Sequence, residues 1–349
     1  MISSDSIMYE DALSISKLDL PWDTLAGKTI LVTGVGGMLS SLITRAFLTI
    51  TDIHKLNIHL LALTHNITQL RDSNAYLKKR PDCFLIESDI CDLTESKIGS
   101  FDIAINGASP ARPALHATNP VETLRANLIG TDNLLRCSVN RNAKFVMISS
   151  SEVYGNHTDG IDRIDEFTFG YLDPISPRSC YPEGKRAAEA LVASYNRQFG
   201  LDALIARFGH IYGPGMALND GRVQADFAAD VVNHQDIALL SDGLSRRTYT
   251  YISDAVSGLL TALLCGNDLV YNIADPNGNV RIRDLAQQFV DARPRFNLHL
   301  VFANTDDKLR LFNSSPVLSL DASRLIALGW DPQITLANGI DRTLQSLGV

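Results

Sequence analysis

Between residues 29 and 207, short apolar runs alternate with longer stretches in which apolar side chains recur every three or four positions. Such runs fit strands covered on both faces, and the recurrence between them fits helices laid on a sheet. The first run, Thr29-Ile30-Leu31-Val32, is followed by a helical pattern carried by Leu42, Ile43, Ala46, Phe47 and Ile50. Further strands are predicted at Ile58–Leu63, Phe84–Glu87, Ile103–Asn106, Phe145–Ile148 and Ala203–Arg207. Strands separated by helices predict an α/β fold with a doubly wound parallel sheet. Beyond Gly213-Pro214-Gly215 the rhythm breaks into shorter elements among irregular Gly, Asn and Asp, which predicts a second, smaller lobe. Residues 1–26 form an extension before the first strand, with Trp22 and Leu25 as its docking residues.

The first strand runs into Thr33-Gly34-Val35-Gly36-Gly37-Met38-Leu39-Ser40. Gly34 permits a tight turn, Gly37 lets a pyrophosphate approach the backbone, and the helix that opens at Met38 and Leu39 points its first amides at the anion. Ser40 takes the third small position. A strand, glycine turn and helix at the head of the series predict a Rossmann dinucleotide site. Thr64 after the second strand, Asp89 and Ile90 after the third, and Ala108 and Ser109 after the fourth lie on the cofactor's path. No carboxylate follows the second strand, which ends Leu63-Thr64-His65-Asn66. NAD is the expected cofactor, because no basic residue directly follows that strand. NADP stays open, because Arg71 lies a few residues on and can meet a 2′-phosphate.

With 349 residues, 45% of them hydrophobic, the chain is long enough for a large core in two lobes. Its net charge of -8 argues against a nucleic-acid or anionic-membrane partner. No apolar run approaches a membrane span, and Met1-Ile2-Ser3-Ser4-Asp5 lacks a secretory start, so a cytoplasmic location is expected. Cys83, Cys91, Cys137, Cys180 and Cys265 are scattered without metal-ligand spacing, so free thiols and no metal are expected.

Two segments carry the chemistry: Ser149-Ser150-Ser151-Glu152-Val153-Tyr154-Gly155 and Cys180-Tyr181-Pro182-Glu183-Gly184-Lys185. On a helix, Tyr181 and Lys185 share a face, where an ammonium can lower the phenol's pKa and make it a base. With a dinucleotide upstream to take the hydride, this pattern points to oxidation of an alcohol.

These segments, with Ala108-Ser109-Pro110, Asn119-Pro120, Asn127-Leu128-Ile129-Gly130-Thr131, Pro177-Arg178 and Asn219-Asp220-Gly221-Arg222, resemble extended short-chain dehydrogenases/reductases acting on nucleotide sugars. The Pro-Arg and Asn-Asp-Gly-Arg blocks are similar to those of UDP-glucuronate decarboxylases. The resemblance runs from about Gly27 to Leu328-Gly329-Trp330-Asp331-Pro332 near the end of the chain. It implies a Rossmann domain at 27–206 plus 235–272, and a smaller C-terminal α/β nucleotide-sugar-binding lobe at 207–234 plus 273–349. By the same resemblance Tyr181 takes the sugar C4 hydroxyl proton, Lys185 is its partner and a ribose contact, and Ser150 hydrogen-bonds the same oxygen. Glu152 then stands near C5 and C6, Arg247 near the diphosphate and C6, and Asn127 beside the cofactor. Ser109, Ser151, Arg178, His210 and Arg222 are the remaining substrate contacts. The implied activity is C4 oxidation followed by decarboxylation of a UDP-sugar, in a homodimer joined through the helices after Asn119 and Tyr181.

Other outcomes share the first step. A 4,6-dehydratase expels the 6-hydroxyl with Glu152 as base, and Ser151 is compatible with that branch too. A 4-epimerase leaves Glu152 idle, and a dinucleotide-sensing regulatory protein is the non-enzymatic alternative. Glu152 can also cap the next turn, Arg247 can be a solvated charge beside Arg246, and Arg178 and Arg222 can be structural ion pairs. His210 stands where the decarboxylases have Asn, and can equally be a satisfied histidine at a strand end. Phe312-Asn313-Ser314-Ser315-Pro316 stands where they have a diphosphate-binding arginine, leaving Arg310 as its substitute.

Overall fold

The computed structural model describes residues 4–74, 76–77, 80–157, 163–302 and 317–349. Its strands are β1 (Thr29–Thr33), β2 (His59–Thr64), β3 (Cys83–Glu87), β4 (Ile103–Asn106), β5 (Lys144–Ser150), β6 (Ala203–Phe208) and β7 (His210–Tyr212). After them come β8 (Ile237–Leu239), β9 (Arg246–Tyr251), β10 (Val270–Ile273), β11 (Asn279–Arg281), β12 (Leu300–Phe302) and β13 (Val317–Leu318). Seven strands form one parallel sheet in the order β10-β6-β5-β4-β1-β2-β3.

Successive residues of a strand face opposite sides of a sheet, and β1 shows what that does here. Ile30 and Val32 enter the core shared with the helices Met38–His54 and Ile252–Cys265. Leu31 enters the opposite core, with Leu134, Leu135, Ala188 and Val192 of the helices Thr131–Arg141 and Cys180–Phe199. Because both faces are covered, the strands read as unbroken apolar runs. The sequential order reverses between β1 and β4, which opens a crevice beyond their C-terminal ends.

The remaining strands build two smaller sheets. β9 pairs with β7, β11 and β13, and β8 pairs with β12. β8 and β9 lie in the 235–272 stretch expected within the Rossmann domain, but of that stretch's strands only β10 joins the central sheet. β9 begins Arg246-Arg247-Thr248, too polar a start for a position covered on both faces. β10 itself escaped the strand pattern because Asn272 at its centre is fully buried by hydrogen bonding rather than by apolarity.

The extension is part of the fold. Helix Ser4–Ser16 buries Ile7, Met8, Ala12 and Ile15 against the helices Met38–His54, Ile252–Cys265 and Leu336–Ser346. Its buried Asp11 accepts from Tyr251 Oη at 2.9 Å and from Arg342 Nη2 at 2.7 Å. Trp22 and Leu25 are buried, and Trp22 Nε1 donates to Leu18 O at 2.9 Å. Among the described residues, no helix is long and apolar enough to cross a membrane.

Candidate active site

The glycine turn lies at the switch point. Gly34 has φ 69°, and a Cβ there would come 2.7 Å from Gly107 O, so both the backbone and its neighbour demand glycine. Among the described residues, a Cβ at Gly36 would meet nothing within 4 Å, and Gly37 precedes the helix Met38–His54 without a side-chain cap. The first turn of that helix, at Met38 and Leu39, thus meets an open concavity of backbone that suits a phosphate. Ser40 is buried, with Oγ pressed towards Gly107.

Hydroxyls and amides tie the strand ends around this turn. Thr33 Oγ1 donates to Asn106 Oδ1 at 3.0 Å and accepts from the amides of Gly107 and Ala108, both at 3.1 Å. Ser109 Oγ donates to Asn127 Oδ1 at 3.0 Å, and Asn127 lies buried in the π-helical turn Ala126–Gly130. Thr64 is buried and accepts from Asn66 N at 3.2 Å. Exposed Asp89 accepts from Cys91 N at 2.7 Å, and Ile90 packs against Gly130. A carboxylate does stand beside the end of β2, but it comes from β3: Glu87 pairs with Thr64 and accepts from Ile67 N at 3.0 Å. Sequence spacing gave no sign of it, because only the β2–β3 register brings it there.

At the end of β5, Ser150 caps the turn Ser151–Tyr154 by accepting from Glu152 N at 3.2 Å. That cap is Ser150's work rather than Glu152's. The Ser150 hydroxyl also acts on the Tyr181 phenol and favours the phenolate. Lys185 is buried and donates from Nζ to Ile148 O at 2.8 Å, with Nζ 5.9 Å from the Tyr181 ring centroid. This differs from the expected lowering of the phenol by Lys185. Burial first, and then the Glu152 charge, push Tyr181 up to about 12, against the pull of Ser150 and Arg222. Lys185 directs its charge at a backbone carbonyl, and burial brings its own pKa down to about 8 while Glu189 opposes that fall.

Glu152 is raised by burial, opposed by the charges of Arg178 and Arg222. Arg178 is exposed. Arg222 is half-buried, donates from Nη2 to Ala111 O at 2.8 Å and lies 3.5 Å from Asp220. It therefore serves as a structural ion pair and stands by Glu152 as well. Ser151 is buried beside them.

Arg247 is half-buried and donates from Nη1 to Arg246 O at 2.7 Å, so it is no solvated surface charge. Its charge acts on His210 and Tyr249. The two groups meet through Arg222, which acts on His210 as it does on Glu152 and Tyr181. Burial, with Arg247 and Arg222, holds His210 neutral, its pKa down to about 3. Arg310 and 312–316 lie outside the described residues.

Three features of the site were not singled out in the sequence. Glu189 continues the face of Tyr181 and Lys185 at the same four-residue spacing, a signal open to inspection. Tyr249, on β9, has a buried hydroxyl with no hydrogen-bond partner among the described residues. His116 stacks on Tyr181, brought there by the short helix Pro113–Thr118 after β4, and no spacing announces it. Cys180 is a packing residue: Sγ donates to His116 O at 3.4 Å, and burial pushes its thiol up.

A parallel sheet with an open glycine turn at its switch point, and a buried tyrosine and lysine beside a serine at a strand end, define a Rossmann-type enzyme of the extended short-chain dehydrogenase/reductase class. Residues 30–274 match the NAD dependent epimerase/dehydratase family, and the chain belongs to it. It is 36% identical over 251 residues to UDP-glucuronic acid decarboxylase 3 of Arabidopsis thaliana, covering 71% of this chain and 70% of that protein. It is 30% identical over 320 residues to UDP-glucuronic acid decarboxylase 1 of Xenopus tropicalis, covering 91% and 71%. In fold it is similar to UDP-glucuronic acid 4-epimerase from Bacillus cereus, solved with UDP-glucuronic acid and NAD (TM-score 0.76, 21% identity, covering 92% of this chain and 99% of that one). It is likewise similar to a dTDP-glucose 4,6-dehydratase from Streptomyces venezuelae (TM-score 0.75, 24% identity, covering 92% and 97%).

Proposed function

We propose that the chain is an NAD-dependent nucleotide-sugar enzyme that oxidises the sugar at C4 and then removes the C6 carboxylate as CO2, with a UDP-sugar as substrate. The observation that carries this reading is the convergence of Glu152 and Arg222 on the Tyr181 phenol beside Ser150, with Arg178 acting on Glu152. The open backbone at Gly36, with the helix N-terminus after Gly37, fits the dinucleotide's phosphates. Gly34, Gly37, Met38, Leu39, Thr64, Asp89, Ile90, Ala108, Ser109, Asn127, Tyr181 and Lys185 would hold it. Bound NAD supplies the acceptor for the C4 hydride and returns that hydride at the end of the cycle.

The chain's own residues manage protons and charge. Tyr181 takes the C4 hydroxyl proton, Ser150 steadies the oxygen, and Lys185 keeps a cation beneath the pair. Arg178, Arg222 and Arg247 face the anionic parts of the substrate, with Ser109, Ser151 and His210 as polar contacts. A C6 carboxylate is β to a C4 ketone, so the C5–C6 bond breaks, CO2 leaves, and the electron pair remains as an enolate. Glu152 stands where a proton returns to C5.

One observation favours a second reading. Burial raises Glu152, and a carboxyl that holds its proton can act as an acid towards a 6-hydroxyl, which suits 4,6-dehydration. Incubation with NAD and a panel of nucleotide sugars, followed by product masses, separates the outcomes. Loss of CO2 from UDP-glucuronate supports the proposal, and loss of water favours the dehydratase. An isomer of unchanged mass indicates a 4-epimerase, and NAD binding without turnover indicates a sensor. We also propose a cytoplasmic homodimer, in keeping with the exposure of Val121 and Ile129 on the segments after Asn119.

A further inference from the structure

The ring of His116 lies flat on that of Tyr181, with centroids 4.5 Å apart and planes 10° from parallel. His116 belongs to the helix Pro113–Thr118, in the segment after β4, and is 1% exposed. Its Nε2 hydrogen-bonds Pro110 O at 3.0 Å. A carbonyl only accepts, so the proton sits on Nε2 and Nδ1 is the bare nitrogen. Nδ1 is buried and has no hydrogen-bond partner among the described residues. A buried acceptor without a donor is costly, so Nδ1 gives no reason for the ring to lie where it does. Besides the Pro110 bond, the contact that its position satisfies is the face of the phenol.

The polar groups beside Tyr181 do not by themselves set its plane. Ser150 holds only the phenol oxygen, and Lys185 is turned to Ile148 O. The Pro110 bond fixes the plane of His116, and Cys180 Sγ bonds the His116 carbonyl from the residue just before Tyr181. Burial and the charges of Arg178 and Arg222 keep the imidazole neutral, so the contact adds no cation beside the phenol.

We propose that His116 is a positioning residue for Tyr181, its neutral ring fixing the plane of the phenol so that the oxygen stays aligned on Ser150 and on the hydroxyl it deprotonates. This rests on Tyr181 being the base of the proposed reaction. The test compares kcat, KM and their pH dependence in wild type, His116→Phe and His116→Ala, with NAD affinity as the check on folding. His116→Phe keeps a flat ring and is expected to keep kcat close to wild type. His116→Ala is expected to lose kcat on the order of 10²-fold with KM little changed. The acid limb of its kcat profile should also move to lower pH, as water reaches the phenol. Equal losses in the two variants, or an alanine variant with wild-type kcat and an unmoved profile, overturn the proposal. If the alanine variant does not fold, a large kcat loss in folded His116→Phe overturns it. A wild type inactive on every nucleotide sugar overturns the functional reading instead.

Discussion

Glu189 and Arg207 meet in a two-point ion pair, Nη2 to Oε2 at 2.5 Å and Nε to Oε1 at 3.0 Å, one helical turn beyond Lys185. Ser149 adds a 2.5 Å hydrogen bond to the same carboxylate, and Arg207 Nη1 reaches Tyr154 Oη at 3.1 Å. A bonded, buried charge cluster thus lies directly under the catalytic helix face.

Glu189→Gln leaves the Arg207 charge buried and half-answered, at an expected cost of about 3–5 kcal/mol in urea unfolding. Glu189 is also the charge that raises Lys185. Its loss should let Lys185 release its proton at lower pH than in wild type, which the pH dependence of NAD binding reads.

Tyr181→Phe keeps the ring against His116 but removes the oxygen that Ser150 bonds. Turnover should fall about 10²–10⁴-fold while NAD affinity, read by calorimetry, is unchanged. Retained turnover would remove Tyr181 as the base.

Glu152→Gln should oxidise C4 and then stall, leaving reduced cofactor and a ketosugar that mass spectrometry identifies. An unaffected complete reaction would point to epimerisation. Arg178 holds the Glu152 carboxyl down against burial. Arg178→Met should therefore raise that carboxyl further and, because the return of a proton to C5 needs Glu152 protonated, move the alkaline limb of the rate profile to higher pH.

His210 supplies a pH signature in stability. Its folded pKa, about 3, lies below the ordinary 6.5, so the unfolded chain takes up a proton that the folded chain refuses. The stability this contributes is complete above 6.5 and is lost as pH falls towards 3. His210→Asn should flatten the decline between pH 7 and pH 5 in urea titrations, and equal slopes for the two proteins would rule the assignment out.

Six of the seven central strands are legible in the sequence because each is apolar on both faces, as Ile30, Leu31 and Val32 show. The seventh hides because Asn272 accepts from Tyr154 Oη at 2.5 Å and donates from its backbone N to Glu166 Oε1 at 2.8 Å, partners over a hundred residues away in sequence, which no local period records. The site divides in the same way. Tyr181, Lys185 and Ser150 follow from helical spacing and a strand end, whereas His116, Tyr249 and Glu87 are delivered by a short helix after β4, a small sheet and a register. The balance at Tyr181 was also illegible, because burial, which dominates it, is a property of the assembled fold.

Asp11 and Arg342 are 331 residues apart in sequence, yet they share one hydrogen bond. A ribosome releases the carboxylate long before it releases its cation. Until the helix Leu336–Ser346 has emerged and docked, the helix Ser4–Ser16 holds a carboxylate with no countercharge from that side. Completion of this fold is therefore a late event in synthesis, and a chain cut short of Arg342 is marked as unfinished at its opposite end.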